Sequence, residues 1–406
     1  MEILFLTLEN IDNYDASNMY ADVMKVFIEK GHNVHTISPL AEEKNETVLL
    51  HFKTSTILRL GGGNTQNCSN LIKKGMATLL IGRRFIKGIK KYYKDKQFDL
   101  ILYSTPPITF VDAIRYVKKR DNAKTYLMLK DIFPQNAIDL GMLSTKGLLG
   151  IATWFFKQKE KTLYRISDAI GCMSPANVDY LLKHNSWIDS ACVNVCPNSL
   201  KIDDTCVAGS FTRKDFDLPE NKKIFIYGGN LGKPQGIDFL IRCIKKMQEN
   251  SEVYFVIAGG GTEFSRLCVE LKDVANVKIF SKMPKHQYDS LVNCCDVGMI
   301  FLDYRFTIPN FPSRLLSYTQ FGLPVLSVTD KNTDIGKIAE ENAFGWSCFS
   351  NSEDEFVRTV ERILKASNLR EYGSNARKYH LNHYLPVHSY TAIIEKVWIN
   401  NESSSN

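Results

Sequence analysis

The chain has 406 residues, of which 44% are hydrophobic and 23% are charged, and this composition suits a globular protein long enough for two domains. It holds no run of about 18 apolar residues, and residues 1–6 lack the basic start of a signal peptide, so neither a membrane span nor a secretory leader is expected. The net charge of +7 comes from residues 1–200, which hold 26 Lys+Arg and 19 Asp+Glu, whereas residues 201–406 hold 25 of each. This asymmetry indicates an anionic partner for the first half.

Short apolar runs alternate with amphipathic stretches through the first half. The runs predict strands at residues 3–7, 33–38, 100–104, 125–129 and 169–173. Between the first two runs, Tyr20, Val23, Met24 and Phe27 recur at helical spacing, which predicts a helix that ends at Gly31. Such alternation is typical of a parallel sheet covered by helices.

The second half repeats this pattern after a polar stretch, residues 197–222, which we interpret as an interdomain linker. Its apolar runs predict strands at residues 224–227, 253–258, 277–280, 297–302 and 324–328. The sequence therefore predicts an α/β protein with one Rossmann-like domain in residues 1–200 and a second in residues 201–380.

A glycine-rich loop follows the first predicted strand of the second half. It reads Tyr-Gly-Gly-Asn-Leu-Gly-Lys-Pro-Gln-Gly from Tyr227 to Gly236 and leads into a predicted helix. Glycines let backbone approach a ligand, a helix N-terminus offers unpaired amides to a phosphate, and Lys233 adds a mobile positive charge. The alternative interpretation is a tight strand-to-helix turn that binds nothing.

A second segment, Pro-Ser-Arg at residues 312–314, precedes another short helical pattern. We expect Ser313 to cap this helix and Arg314 to lie in its first turn. Helix-end amides and a guanidinium would together bind an anion such as a phosphate. The alternative is that Arg314 is a solvated surface residue.

Together the two segments resemble the donor domain of the retaining family-four glycosyltransferases. The branch that is most similar contains bacterial surface-polysaccharide enzymes (capsule and O-antigen) of the fucosamine-transferase type, with Gly-Asn-Leu-Gly-x-x-Gln-Gly and Pro-Ser-Lys/Arg signatures. The segment Lys-Asp-Ile-Phe-Pro-Gln at residues 130–135 looks like the Asp-x-x-Pro-Glu segment of that branch. The resemblance covers nearly the whole chain. It implies the GT-B architecture, with two Rossmann-like domains facing across a cleft and a C-terminal helix, residues 381–406, that returns to the first domain.

The resemblance also implies a reaction, in which a sugar moves with retention from a nucleotide diphosphate-sugar, preferably a UDP-sugar, to a polyprenyl-diphosphate-linked saccharide. Asp131 is the candidate for orienting or deprotonating the acceptor, with a solvent-facing helix cap as the alternative. The residues implied in donor binding are Gly229, Asn230, Gly232, Gly261, Met283, Ser313, Leu315 and Ser317.

The chain departs from the broad family at several positions. The paired glutamates of the family would fall at Pro309 and Ser317, and its diphosphate-binding Arg and Lys at Asn230 and Gln235. We therefore expect Lys233 and Arg314 to stabilise the departing diphosphate. Relatives use basic side chains and helix ends for this purpose, so neither a metal nor a cofactor is expected.

A basic amphipathic pattern occupies residues 73–96 in the first half. Phe85, Ile89 and Tyr92 share one helical face there, and we expect this stripe to face lipid. A second candidate for membrane contact is the apolar stretch 147–156 around Trp154. For both, the alternative is a core helix with a solvated basic face. The basic residues expected to meet the membrane are Arg83, Arg84, Lys87, Lys90 and Lys91.

We favour an anionic membrane over nucleic acid as the partner, because no recognisable nucleic-acid-binding module occurs. The expected location is cytoplasmic, peripheral on the inner face of the cell membrane. Two other functions remain open: a sugar-nucleotide epimerase of the same fold, and a non-catalytic GT-B subunit that positions a true transferase.

Overall fold

A computed structural model describes residues 1–15, 18–40, 46–61, 71–202 and 211–399. The chain forms two compact units. The first contains Met1–Lys201 and Pro386–Asn406, and the second contains Ile202–Leu385. The sequence placed the corresponding boundaries after residues 200 and 380.

The first domain is built on an eight-stranded sheet in the order β3-β4-β2-β1-β5-β6-β7-β8. All neighbours are parallel except β3 and β4. The strands are β1 (Glu2–Leu6), β2 (Asn33–Pro39), β3 (Val48–Phe52), β4 (Ser55–Leu60), β5 (Leu100–Ser104), β6 (Lys124–Leu129), β7 (Ala169–Cys172) and β8 (Val193–Val195). The helices are α1 (Met19–Glu29), α2 (Leu71–Tyr92), α3 (Val111–Asp121), α4 (Gln135–Asp139), α5 (Gly147–Ile166) and α6 (Pro175–His184).

The second domain contains a six-stranded sheet in the order β11-β10-β9-β12-β13-β14, and all of its neighbours are parallel. Its strands are β9 (Lys223–Asn230), β10 (Val253–Gly260), β11 (Val277–Phe280), β12 (Val297–Phe301), β13 (Val325–Thr329) and β14 (Gly345–Phe349). Its helices are α7 (Ile237–Lys246), α8 (Phe264–Glu270), α9 (Lys285–Asn293), α10 (Arg314–Gln320), α11 (Ile335–Glu341), α12 (Glu353–Leu364) and α13 (Leu369–His383).

The C-terminal helix α14 (Pro386–Ile394) belongs to the first domain. The ring of Tyr390 packs edge-on against Phe27 of α1, with 4.8 Å between their centroids. The side-chain amide of Asn194 donates to the carbonyl of Ala392 at 3.0 Å. These contacts cover an apolar face of α1 that would otherwise meet water.

Helix α2 buries the apolar stripe that the sequence suggested for a membrane. Phe85 is 1% exposed and Ile89 is fully buried, and the Phe85 ring lies 4.7 Å from that of Phe110. Tyr92 is partly buried against the same core. The expectation of a lipid-facing stripe is therefore wrong, because these side chains close the core between α2 and the sheet. The basic face remains in solvent, with Arg83, Lys87, Lys90 and Lys91 exposed and Arg84 partly buried.

Helix α5, unlike residues 81–92 of α2, exposes apolar side chains at its N-terminal end. Ile151 and Trp154 are 66% and 63% exposed, and Leu149 in the first turn and Met142 in the preceding loop are also exposed. The sequence stretch 147–156 thus presents apolar side chains to solvent over its first turns. None of the helices in the described ranges combines the length and hydropathy that a membrane span requires.

Candidate active site

Strands β9 and β10 carry glycines near their carboxyl ends that touch each other. Gly229 pairs with Gly259 in the parallel register, and a Cβ atom on Gly259 would lie 1.9 Å from the Gly229 carbonyl oxygen. A Cβ atom on Gly261 would lie 2.4 Å from the carbonyl oxygen of Leu231. Both contacts are shorter than any side chain allows, so the close approach of the two strand ends itself requires glycine.

Substituting Gly259 by alanine is expected to lower the free energy of unfolding by about 2–3 kcal/mol, because the two backbones must separate to admit the new methyl group. Gly260→Ala is the matched control, since a Cβ atom there would meet only the Cβ of Lys282 at 3.8 Å. Chemical denaturation of both variants measures the difference. Equal stability would show that the strand ends separate at little cost.

The loop after β9 is closed by the side chain of Gln235. Its Oε1 atom accepts from the Asn230 side-chain amide at 2.9 Å and from the Gly232 amide at 3.2 Å. Asn230 and Gln235, where the resemblance would place a basic pair, here hold the loop together. Lys233 begins the short 3-10 turn Lys233–Gln235 and is exposed. Within the described residues it makes no ion pair.

Arg314 begins helix α10, and its guanidinium lies over the ring of Tyr227 in β9, with Cζ 4.3 Å from the ring centroid. Its Nη2 atom is 3.9 Å from where a Cβ atom on Gly229 would stand. Its Nη1 atom is buried and has no hydrogen-bond partner among the described residues. A buried guanidinium donor without a partner is costly unless an acceptor is supplied from outside the chain.

Helix α10 is fixed against the sheet by Tyr318. The Tyr318 hydroxyl accepts from the Gly228 amide at 3.1 Å and lies 3.0 Å from the carbonyl oxygen of Met299, to which it donates. A Cβ atom on Gly298 would lie 2.3 Å from the Tyr318 ring, so glycine leaves the space that the ring fills. This anchor, one helical turn from Arg314, sets where the guanidinium lies.

Ser313 stands directly before α10, but its hydroxyl makes no capping hydrogen bond. The expectation of a serine cap is wrong because the Ser313 backbone is helical (φ −63°, ψ −15°), whereas a capping side chain needs an extended backbone. Leu315 is fully buried, and its amide donates to the Pro312 carbonyl at 3.2 Å. Ser317 is partly exposed.

Met283 lies in the segment between β11 and α9 and is partly exposed. The end of β11 is next to the end of β10, because Phe280 pairs with Ala258. The structure thus brings Met283, Gly261, Gly229 and Arg314 to the carboxyl edge of the second sheet. In open α/β sheets, ligands bind outside this edge.

An Asp-x-Asp triplet is present at residues 215–217, and both of its carboxylates contact other groups of the protein. Asp215 accepts from the amide and the hydroxyl of Thr212 at 2.7 and 2.8 Å. Asp217 forms an ion pair with Lys278 at 3.0 Å. The two acids therefore serve the local structure before β9.

Asp131 follows β6 at the carboxyl edge of the first sheet and is partly buried. The hydroxyl of Thr105, which follows β5, donates to the Asp131 carbonyl at 3.1 Å and so fixes the turn. Burial raises the pKa of the Asp131 carboxyl to about 6. Tyr20 lies near both Asp131 and Glu9. Burial is the main cause of the raised pKa of Tyr20, and the negative charges of Glu9 and Asp131 raise it further.

The neighbouring Lys130 points to a different part of the first domain. Its ammonium group donates to the Cys196 carbonyl at 3.3 Å. Burial lowers the pKa of this lysine. Lys130 therefore supports the strand ends, whereas the Asp131 carboxyl forms no hydrogen bond with the described residues and stays available at this edge.

Residues 210–379 match the family model of the glycosyl transferases group 1. This similarity lies within the second domain. The match spans every strand of the second sheet and contains Tyr227, Gly229, Lys233 and Arg314.

Two curated relatives are similar over most of the chain. "Probable glycosyltransferase WbjE" of Pseudomonas aeruginosa is 22% identical over 340 residues, which cover 81% of this chain and 82% of that protein. "Putative colanic acid biosynthesis glycosyl transferase WcaI" of Escherichia coli strain K12 is 22% identical over 291 residues, 69% of each chain. Both support glycosyltransferase activity.

Solved structures of the same fold match nearly the full length. An Escherichia coli structure described as trehalose-6-phosphate bound with UDP-2-fluoro glucose has a TM-score of 0.74 at 11% identity and covers 98% of this chain and 99% of its own. WaaG, a glycosyltransferase involved in lipopolysaccharide biosynthesis, has a TM-score of 0.64 at 13% identity and covers 98% and 99%. The predicted GT-B fold, with two Rossmann-like domains, is confirmed.

Sequence analysis missed the residues that hold Arg314 and Asp131 in place. In the sequence, Tyr227 and Tyr318 look like ordinary core aromatics. Their roles are seen only in the structure, where Tyr227 contacts Arg314 and Tyr318 binds the Gly228 amide. Thr105 sits in a Thr-Pro-Pro stretch that has no recognised signature. An aromatic residue directly before a glycine pair was the one available signal for Tyr227.

Proposed function

We propose that this protein is a retaining glycosyltransferase that moves a sugar from a nucleotide diphosphate-sugar, preferably a UDP-sugar, to a lipid-linked saccharide. The observation that carries the proposal is the buried, unpartnered Nη1 atom of Arg314 beside the glycine ends of β9 and β10. That donor fits the diphosphate of a nucleotide-sugar, since guanidinium groups form paired hydrogen bonds to phosphate oxygens.

In this reaction the bond between the sugar C1 and the diphosphate oxygen breaks, and negative charge collects on the leaving diphosphate. Arg314 supplies a fixed positive charge and Lys233 a mobile one. Such charges are worth more in a water-poor site than in bulk water. Retention means that the acceptor hydroxyl attacks from the face that the diphosphate leaves.

The acceptor hydroxyl must lose a proton as its oxygen bonds to C1. Asp131 is the candidate that orients this hydroxyl or receives the proton, because a carboxyl with a pKa of about 6 is ionised at neutral pH yet basic enough to accept it. The names of WcaI and WaaG place those relatives in colanic acid and lipopolysaccharide synthesis. For this chain we propose a saccharide on a polyprenyl diphosphate as the acceptor, in capsule or O-antigen synthesis.

A lipid-linked acceptor requires the enzyme to work at a membrane surface. The exposed apolar side chains at the start of α5, Leu149, Ile151 and Trp154, support such contact. The exposed basic face of α2 adds attraction to anionic lipids, at about 1 kcal/mol for each Lys or Arg near the surface. We propose peripheral attachment through α5, with the charges of α2 in support.

The double variant Ile151→Ser with Trp154→Ser is expected to bind anionic vesicles at least tenfold more weakly, because about 1.5–3 kcal/mol is lost for each large apolar side chain that no longer leaves water. Sedimentation with phosphatidylglycerol vesicles at low salt measures the effect. Val269→Ser is the control, since Val269 is 68% exposed on α8 in the second domain. Wild-type protein that stays in the supernatant would contradict membrane attachment.

The function is tested by incubating the protein with UDP-, GDP- and dTDP-sugars and a lipid-linked saccharide extract, with EDTA present. We expect sugar transfer from one donor class, a raised melting temperature with that donor, and no effect of EDTA. Conversion of UDP-GlcNAc without any acceptor would favour an epimerase. Donor binding without transfer to any acceptor would favour a non-catalytic subunit.

A further inference from the structure

Tyr227 occupies a position that the proposed reaction does not by itself explain. It lies in β9, is fully buried, and carries the guanidinium of Arg314 over its ring. Its hydroxyl donates to the carbonyl of Asn230 at 2.7 Å, at the start of the glycine-rich loop. One side chain therefore touches both the cation and the loop.

The strand geometry explains how Tyr227 and Arg314 meet. Residues two apart in a strand face the same side, so Tyr227 and Gly229 share a face of β9. Because Gly229 has no side chain, the guanidinium extends past the ring and lies over the glycine, with Nη2 3.9 Å from the missing Cβ position. A side chain at residue 229 would take the space beside the cation.

The Tyr227 ring, and not a carboxylate, holds the guanidinium of Arg314 in position. No ion pair of Arg314 occurs among the described residues, and its Nη1 atom has no hydrogen-bond partner there. An acidic partner would hold the guanidinium equally well but would neutralise it and compete with a phosphate. An aromatic face attracts a cation without occupying its hydrogen-bond donors.

We propose that Tyr227 is the positioning residue for Arg314: its ring holds the guanidinium beside Gly229 with its Nη1 donor free for the donor diphosphate. This inference rests on the proposed function, because it assigns the diphosphate as the ligand of Arg314. In this role Tyr227 does not act on the reacting atoms directly. Its effect on catalysis passes through the arginine.

A double-mutant cycle tests this route of action. Tyr227→Leu is expected to weaken the binding of UDP by about threefold to thirtyfold, the range that a cation over an aromatic ring contributes. In an Arg314→Ala background the same substitution is expected to change UDP binding by less than about twofold, since the group it positions is absent. Tyr227→Phe keeps the ring and is expected to stay within about threefold of wild type.

Titration calorimetry with UDP supplies the dissociation constants, and steady-state kinetics with the active UDP-sugar supplies kcat and KM. Phe239→Leu is the matched control: Phe239 lies under Arg242 on α7, and its ring is 6.3 Å from Phe301, as is that of Tyr227. We expect it to lower stability in the same way as Tyr227→Leu and to leave UDP binding unchanged.

The outcomes distinguish a failure of the positioning role from a failure of the proposed function. Equal losses from Tyr227→Leu with and without Arg314 would overturn the positioning role and leave the proposed function intact. A Tyr227→Phe variant as weak as Tyr227→Leu would also overturn it, because the hydroxyl rather than the ring would then matter. If wild-type protein binds neither UDP nor GDP nor dTDP, the proposed function fails and this inference fails with it.

Discussion

Replacing Arg314 by alanine is expected to lower kcat by a factor of about 100 to 1,000, equivalent to about 3–4 kcal/mol of lost charge stabilisation on the leaving diphosphate. The guanidinium is held over Tyr227, and its Nη1 atom has no partner in the described part of the chain, so this donor is positioned to bind a ligand. Arg314→Lys keeps the charge but loses the planar fork, and we expect it to recover only part of the rate.

Stability separates this loss of activity from unfolding. Removing a buried donor without a partner relieves a desolvation cost, so the melting temperature of Arg314→Ala is expected to stay near that of wild type. Arg242→Ala is the control, because Arg242 also lies over an aromatic ring, at 5.4 Å, but pairs with Glu353. Near-normal turnover in Arg314→Ala would mean that the diphosphate is held elsewhere, with Lys233 as the next residue to test.

Replacing Asp131 by asparagine is expected to lower kcat/KM by a factor of about 100 to 10,000, the range that a positioned general base contributes. Burial raises the pKa of this carboxyl to about 6. In the wild type, kcat/KM should therefore fall as the pH drops through about 6, because protonation removes the base. The asparagine variant should lack this limb of the pH profile, which steady-state rates between about pH 5 and 8 will show.

Unlike its activity, the stability of the Asp131→Asn variant is not expected to fall. Since folding raises the pKa of Asp131 from its usual 3.8, its ionisation disfavours the folded state as the pH rises from about 4 to 6. An asparagine side chain cannot ionise, so the Asp131→Asn variant should melt no lower than wild type at about pH 7. Asp139→Asn, in nearby α4, is the control with expected wild-type rates. Wild-type rates in Asp131→Asn would leave Asp131 a structural turn residue.

Most strands were predictable because each is an apolar run bounded by polar residues. All ten predicted strands exist, from β1 to β13. The β3–β4 hairpin was missed because its turn is Lys53-Thr54, with Lys53 at φ +52°, where hairpin turns normally carry Asn or Gly. Strand β14 was missed because Gly345, Ser347 and Cys348 dilute its apolar pattern.

The candidate site shows where sequence periodicity stops being informative. A helical stripe of Phe85, Ile89 and Tyr92 is equally consistent with a lipid face and a core face, and only the fold assigns it to the core. The exposure of Trp154 was likewise decided by what packs around α5. The glycine loop and Arg314 were found from local motifs, whereas the contact between Arg314 and Tyr227 depends on residues far apart in sequence.

The first domain is discontinuous in sequence, since α14 returns to it after the second domain has been made. During synthesis, the apolar face of α1 around Phe27 therefore stays uncovered until Tyr390 has been made. The whole second domain emerges from the ribosome in that interval and has time to fold. A nascent chain spends this interval with apolar surface uncovered, at the stage when chaperones bind such surfaces. The first domain is thus completed only by residues that follow the second domain in sequence.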